Sequence, residues 1–466
     1  MSNESDYLLA GNSNTGADRA VSNDDRIRRV MSLLVCAVYG FAGGVQYVTS
    51  YLIHPIQTAC SPPWSSSATV YGSSALAVGW IASGFFASCL TGFVGIRWIM
   101  TAVIMLAAAQ GIAGVSVIFC KEMNVIGEIL YISMFPLMAF GISTIFMIMV
   151  ELAIRRLPDK PGFAGAIFCV SSGFGSLASS QIVIGLRTLF ASVHINEGTI
   201  FLCLGLFTVI LLSPWLPVIS TSFVPRDKTK TSITKETNVY EEQKKSMNVM
   251  MLGYYVLFCV VILCAYIPVM GVIVYQEPLM LAIWTTSDPP VSFLAAILMG
   301  SYVTGRVLCL ILSDKIGLKN IMLLAFFLSS ILFLGLALSI ILKTKGAQSR
   351  YLGMFFLAAY MLVNPIYKGS AGGLCHYLYG PARRSFTLGL YTIMSGLGGI
   401  MGPLIVNGTY SGFGNYKPFL MGSSVVSIIG LVSLWFIRPV QTVKAVMSSN
   451  SDSYSCAELE TQSDRL

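Results

Sequence analysis

The sequence predicts an all-α polytopic membrane protein with twelve transmembrane helices, on two observations. Hydrophobic residues make up 55% of the 466 residues, charged residues only 11%, and the mean hydropathy is +0.74. Soluble proteins carry roughly 25% charged residues. In addition, twelve stretches reach about 20 apolar residues, the length that a helix needs to cross the bilayer core. These values exclude a soluble globular protein.

The expected spans form two sets of six, separated by a polar loop. We place them at about 30–52, 69–91, 97–119, 126–152, 163–186 and 199–219, and then at about 249–273, 291–312, 320–342, 351–375, 385–408 and 418–437. The corresponding domains are a tail (1–29), a first half (30–219), a central loop (220–248), a second half (249–438) and a C-terminal tail (439–466).

The basic residues indicate the orientation of these spans. Of the 29 Lys and Arg residues, 21 fall on the side of the two tails and the central loop, six on the opposite side, and two within spans. Because basic loops mark the cytoplasmic side, both termini are expected there. The net charge of +8 therefore reflects topology and does not indicate a nucleic-acid partner.

The two sets of spans are related by an internal repeat. Ser313–Lys319, after the eighth span, aligns with Gly92–Arg97, after the second, at an offset of 222 residues. Ser172–Gly175 in the fifth span is echoed by Ser395–Gly398 in the eleventh. Duplicated halves of this kind are typical of transporter folds.

With these motifs, the sequence resembles the major facilitator superfamily over nearly all of Arg26–Pro439. The resemblance implies two pseudo-symmetric six-helix halves, with Asp314 capping a neighbouring helix and holding a gate closed. The motif and its first-half copy supply the candidate gating residues, to which we add an acidic–basic pair one turn apart: Asp314, Lys315, Gly317, Lys319, Gly95, Arg97, Glu151 and Arg155. The first-half copy lacks the motif charges, since Gly92 and Phe93 stand in their places.

A narrower resemblance is to the branch of oxalate:formate antiporters and monocarboxylate transporters. Four segments carry it: Trp64–Ser65, Leu157–Gly165, Tyr379–Pro381 and Gly398–Pro403. The resemblance allows both anion exchange and proton symport. The eleventh span lacks the second cation of the bacterial oxalate exchanger type, so a single carboxylate is the expected ligand rather than a dicarboxylate.

Two cations lie inside predicted spans, where each costs about 2.5 to 3.5 kcal/mol and therefore indicates a functional position. Arg306 precedes Asp314 by eight residues, which places it about 12 Å from the end of its helix. It either binds a carboxylate or pairs with helix carbonyls or a polar neighbour. For Lys368, snorkelling towards the interface is the leading interpretation and substrate binding the alternative. No Asp or Glu falls at mid-depth in any predicted span.

Polar residues of the first span offer a second wall for such a site. Tyr39 and Gln46 are seven residues apart on one helical face, and Tyr47 is adjacent. These three residues either complete an anion site opposite Arg306 or form interhelical hydrogen bonds.

The sequence therefore predicts a secondary transporter of a small organic anion that works as a monomer in the bilayer, without a cofactor and without enzymatic activity. Whether protons are co-transported is left open. The alternatives are a sensor or adaptor on the same fold, or a carrier of another small solute. Glu4–Leu9 resembles an acidic dileucine signal, so the membrane is the plasma membrane or an endosomal, lysosomal or vacuolar one.

Overall fold

The structure is a computed structural model that describes ten segments of the chain. These are residues 23–44, 67–89, 96–119, 124–157, 160–193, 198–218, 239–284, 291–342, 347–379 and 384–438. Outside these segments lie residues 1–22, the C-terminal tail, most of the predicted central loop, Gln46, Tyr47 and Gly95, whereas residues 23–29 of the predicted N-terminal tail belong to the first segment.

Helices occupy the described part of every predicted span. The first half contains α1 (Asn23–Gly44), α2 (Ser67–Cys89), α3 (Ile96–Ile118), α4 (Asn124–Arg156), α5 (Pro161–Val193) and α6 (Gly198–Leu212), which continues into a short 3₁₀ turn. The second half contains α7 (Val239–Val274), α8 (Gln276–Ile283), α9 (Val291–Ile316), α10 (Leu318–Ile341), α11 (Ala347–Val363), α12 (Pro365–Gly369), α13 (Ala371–Tyr379), α14 (Arg384–Phe413) and α15 (Lys417–Phe436).

The helices have the length and composition of transmembrane segments. Within the described ranges, nine helices are individually long and apolar enough to cross a membrane, and α1 and α2 contain shorter apolar segments. The remaining span is divided among α11, α12 and α13. The chain is thus an integral, multi-pass membrane protein, as its composition predicts.

Two elements differ from the sequence-based boundaries. Helix α7 starts at Val239, inside the predicted loop, because Glu241 and Lys245 are good helix formers with the favourable four-residue spacing. The tenth span is not one helix, because Pro365 has no amide hydrogen to donate and separates α11 from α12 at Asn364. A second irregularity at Ser370 separates α12 from α13.

Helix pairing repeats between the halves. In the first half α1 packs on α5, α2 on α4 and α3 on α6, and in the second half α7 packs on α14, α9 on α11 and α10 on α15. Helices α3 and α10 begin at Ile96 and Leu318, at the 222-residue offset of the sequence repeat. The repeat is therefore a repeat of structure.

The halves meet along two seams that are related by the same repeat. One seam is α2 against α14, and the other is α5 against α9 together with α12 and α13. Helix α5 begins and helix α9 ends at the same end of the protein, near Asp314.

Close helix crossings rely on small residues, and one of them gives a stability prediction. A Cβ atom at Gly79 of α2 would lie 2.2 Å from the carbonyl oxygen of Pro136 in α4, whereas Gly111 of α3 has open space around that position. We expect Gly79→Ala to lower the melting temperature in detergent by several degrees, because overpacking costs about 1 to 3 kcal/mol. Gly111→Ala should be neutral or slightly stabilising, since Ala favours helix by about 1 kcal/mol. Equal melting temperatures for the two variants would contradict this packing.

Candidate functional site

Arg306 lies at the seam between α5 and α9, and it is the largest fully buried side chain, at 1% exposure. Its guanidinium Nη1 donates to the carbonyl oxygen of Cys169 (2.7 Å) and to Oγ of Ser172 (2.5 Å), both on α5. These bonds join a cation of the second half to neutral acceptors of the first. Hydrogen bonds to a charged group contribute about 1.5 to 3 kcal/mol each.

Two further residues shape the space around Arg306. Nη2 donates to the hydroxyl of Tyr302, one helical turn earlier (2.9 Å), and the guanidinium carbon lies 4.4 Å from the centre of that ring. A Cβ atom at Gly173 would lie 2.9 Å from Cδ of Arg306. Gly173 therefore lets the arginine lie directly against the α5 backbone.

Lys368 lies in the short helix α12, between the two breaks of the tenth span. From Val363 to Cys375 it is the one residue that is not buried. Its Nζ lies 5.9 Å from the ring centre of Trp80 on α2 and 5.7 Å from that of Phe146 on α4, within the range of cation–π attraction. Lys368 thus also contacts the first half through neutral groups.

Cys169 contacts the guanidinium of Arg306 and the backbone of Lys368. Its carbonyl oxygen accepts from Arg306, and its Sγ–H donates to the backbone carbonyl of Lys368 (3.5 Å).

The repeat places Lys368 on the pseudo-symmetry axis. At the 222-residue offset, the first-half counterpart of Lys368 is Phe146, and this is one of the two rings that its ammonium contacts. A residue and its symmetry counterpart approach each other only at the axis that relates them. Lys368 therefore lies at the centre of the molecule, between the halves.

Tyr39 is not part of this cluster. It is fully buried, and its hydroxyl donates to the carbonyl oxygen of Leu212 (3.1 Å), at the contact of α1 with the end of α6. This is an interhelical hydrogen bond of the kind that the sequence left as the alternative to substrate binding. Gln46 and Tyr47 lie outside the described residues.

Asp314 joins the halves at one end of the α5–α9 seam. The backbone amides of Gly162 and Phe163 donate to its Oδ1 (3.0 Å) and Oδ2 (2.9 Å). These amides belong to the first turn of α5, where a helix has unsatisfied donors and a positive dipole end. A Cβ atom at Gly162 would lie 2.5 Å from Oδ1, so the cap needs glycine there.

The rest of the loop motif organises the second half. Gly317 adopts φ 91°, which L-residues with a side chain rarely reach, and it connects α9 to α10. Nζ of Lys319 donates to the carbonyl oxygens of Trp435 (3.0 Å) and Ile437 (2.8 Å), so it caps the C-terminal end of α15. Lys315 is exposed.

The first-half gating candidates are described only in part. Glu151 is buried on α4, at 8% exposure. Arg97 and Arg155 belong to α3 and α4, but their side chains lie outside the described part of the structure, as does Gly95. The Glu151–Arg155 pair therefore stays a prediction.

Sequence reasoning missed the neutral residues that hold the cations. Backbone carbonyls and aromatic faces occur in every span, so Cys169, Trp80 and Phe146 carry no distinctive pattern. Two signals were present, however: Tyr302 precedes Arg306 by one helical turn, and Ser172 opens the Ser-Gly-x-Gly echo.

The Asp314 cap gives a direct prediction for hydrogen exchange. We expect Asp314→Ala to accelerate deuterium uptake at Gly162 and Phe163 about tenfold or more, because two charge-assisted bonds are lost. Asp314→Asn, which retains one acceptor oxygen, should give a smaller increase, and Lys315→Ala none. Mass spectrometry of peptide 160–168 measures the rates; unchanged uptake in Asp314→Ala would show that the cap does not protect these amides.

Comparisons with known proteins identify the fold. No protein-family model matches the sequence, and no curated protein matches it. Among solved structures, the major facilitator proton:xylose symporter XylE, bound to 6-bromo-6-deoxy-D-glucose, is similar with a TM-score of 0.65 and 12% identity, over 89% of this chain and 98% of that one.

Two structures of FucP are also similar. A major facilitator transporter, FucP in the outward conformation, has a TM-score of 0.62 at 11% identity, over 88% of this chain and 98% of that one. A variant of the Escherichia coli fucose:proton symporter FucP has a TM-score of 0.57 at 12% identity, with the same coverage. Together with the repeated helix pairing and the two seams, these similarities show that the chain has the twelve-helix major facilitator fold.

Proposed function

We propose that this protein is a secondary transporter that moves a small organic anion, of the monocarboxylate type, by alternating access. The observation that carries the proposal is that Arg306 and Lys368 both contact the first half in the same region. Arg306 binds the carbonyl oxygen of Cys169, and Lys368, whose backbone carbonyl also contacts Cys169, faces Phe146, its counterpart in the repeat. Major facilitator folds bind their ligands near this axis and expose the site to each side in turn.

The charge of the site favours an anion. Two cations at the depth of the bilayer core each cost about 2.5 to 3.5 kcal/mol, and a bound carboxylate would recover part of that cost. Arginine suits a carboxylate because its planar guanidinium offers two parallel donors. Lys368, which is partly exposed, would provide the second, less directional charge.

Movement between the halves would take place at the two seams. Asp314 holds α5 and α9 together at one end, which the distribution of basic residues assigns to the cytoplasm. Opening this end requires the Asp314 cap to break and α5 to separate from α9. The tenth span, interrupted on both sides of Lys368, provides a local hinge beside the ligand.

Both coupling modes remain within the proposal. In exchange, the anion itself neutralises the cations during reorientation. In symport, a proton accompanies the anion.

One observation favours a second candidate. The named acceptors of Arg306 are neutral and belong to the protein itself, so its role would be structural in a carrier of neutral solutes, and XylE and FucP are named as sugar symporters. A sensor or adaptor on this fold would bind its ligand without flux.

Uptake by proteoliposomes distinguishes these candidates. We expect saturable uptake of at least one of labelled lactate, pyruvate, formate and oxalate, and little of xylose or fucose. Arg306→Ala should lower kcat/KM for the anion by about tenfold to a hundredfold, the equivalent of one lost charge-assisted bond. Arg306→Lys should fall between, because it retains the charge and loses the planar donors.

The matched control is Arg29→Ala, which removes an exposed arginine at the start of α1. It should transport as the unmodified protein does. Anion uptake that survives Arg306→Ala at full rate would overturn the proposed site. Sugar uptake without anion uptake would support the second candidate, and saturable binding without flux would indicate a sensor.

A further inference from the structure

We propose that Ser172, Trp80 and Phe146 are positioning residues that hold the two cations while the site is empty, that a bound anion displaces them, and that loss of the bond between Ser172 and Arg306 releases the α5–α9 seam. The inference rests on the proposed function and assigns these three first-half side chains a part in coupling ligand binding to movement.

Every charged group named at the site belongs to the second half and contacts neutral groups of the first half. Arg306 binds the carbonyl oxygen of Cys169 and the hydroxyl of Ser172. Lys368 faces the rings of Trp80 and Phe146. Asp314 accepts from the first-turn amides of α5. The halves are therefore joined by contacts that a ligand of the right charge competes for.

Arg306 is inaccessible in this conformation. Its side chain is 1% exposed and packs against Gly173 and the ring of Tyr302. A carboxylate reaches it only after α5 moves away. Binding at Arg306 and separation of α5 from α9 are thus one event.

The first-half counterparts of the three charged residues are uncharged. At the 222-residue offset, the counterparts of Arg306, Lys368 and Asp314 are Gly84, Phe146 and Gly92. At the α2–α14 seam, a Cβ atom at Gly84 would lie 2.6 Å from the carbonyl oxygen of Gly389, and one at Gly396 would lie 2.8 Å from that of Ala77. At these described residues, close packing of glycine against backbone joins α2 to α14.

The two seams therefore have different roles. The α5–α9 seam responds to the ligand, and the α2–α14 seam acts as the pivot. Without an anion, α5 and α9 stay in contact, whereas with a bound anion they separate. This favours exchange of one anion for another over reorientation of the empty protein.

Hydrogen exchange on the full-length protein in detergent tests whether the bond between Ser172 and Arg306 holds α5 against α9. Ser172→Ala removes one acceptor of Arg306, and we expect uptake in peptide 160–168 to accelerate about tenfold, in the direction of Asp314→Ala. Ser176→Ala is the matched control: Ser176 is also buried on α5 and its hydroxyl donates to the carbonyl three residues earlier, as that of Ser172 does. Peptides of α2 and α14 should be unaffected in both variants.

Measurements with added anions test whether a ligand releases the α5–α9 seam. In the unmodified protein, at least one of lactate, pyruvate, formate and oxalate should accelerate uptake in peptide 160–168, whereas in Ser172→Ala the further acceleration should be smaller. Equal rates in Ser172→Ala and Ser176→Ala, or no effect of any of the four anions, would overturn the inference. Failure of the proposed function is separate, because it is decided by transport in Arg306→Ala.

Discussion

The contact between the Arg306 guanidinium and helix α5 is the constraint on which the rest of the arrangement depends. A buried cation must be satisfied, and here its acceptors belong to the opposite half of the protein. That requirement fixes the depth of α9 against α5 and explains why Gly173 stands where a side chain would collide with the arginine.

The helix packing of the fold is pseudo-symmetric, whereas the charged residues of the site lie in one half only. The same helix pairs recur in both halves, yet Arg306, Lys368 and Asp314 all belong to the second half and their first-half counterparts are Gly or Phe. Contact between Lys368 and its own counterpart Phe146 marks the axis. The second half thus supplies these charged groups, and the first half supplies the neutral groups that they contact.

Hydropathy and the repeat predicted the fold well, because the length of an apolar span is set by the bilayer. They did not predict the breaks beside Lys368, since an apolar count does not register the missing donor of Pro365. The membrane-embedded cations were identifiable from their cost, but their partners were not, because carbonyl groups and aromatic rings are present in every span. The partner of Tyr39 was also not predictable. Helical spacing determines which residues share a face, but it does not determine which helix that face contacts, which for Tyr39 is α6 at Leu212.

The proposed function requires one carboxylate to bind between Arg306 and Lys368. Anomalous diffraction from crystals grown with 3-bromopropionate locates such a ligand, because bromine gives an anomalous signal that the protein and solvent atoms lack. We expect a single bromine peak beside Cys169, with the carboxylate between the guanidinium and the ammonium and with Ser172 no longer bound to Arg306. A ligand bound elsewhere in the protein, with the Arg306–Ser172 bond intact, would overturn the proposed site.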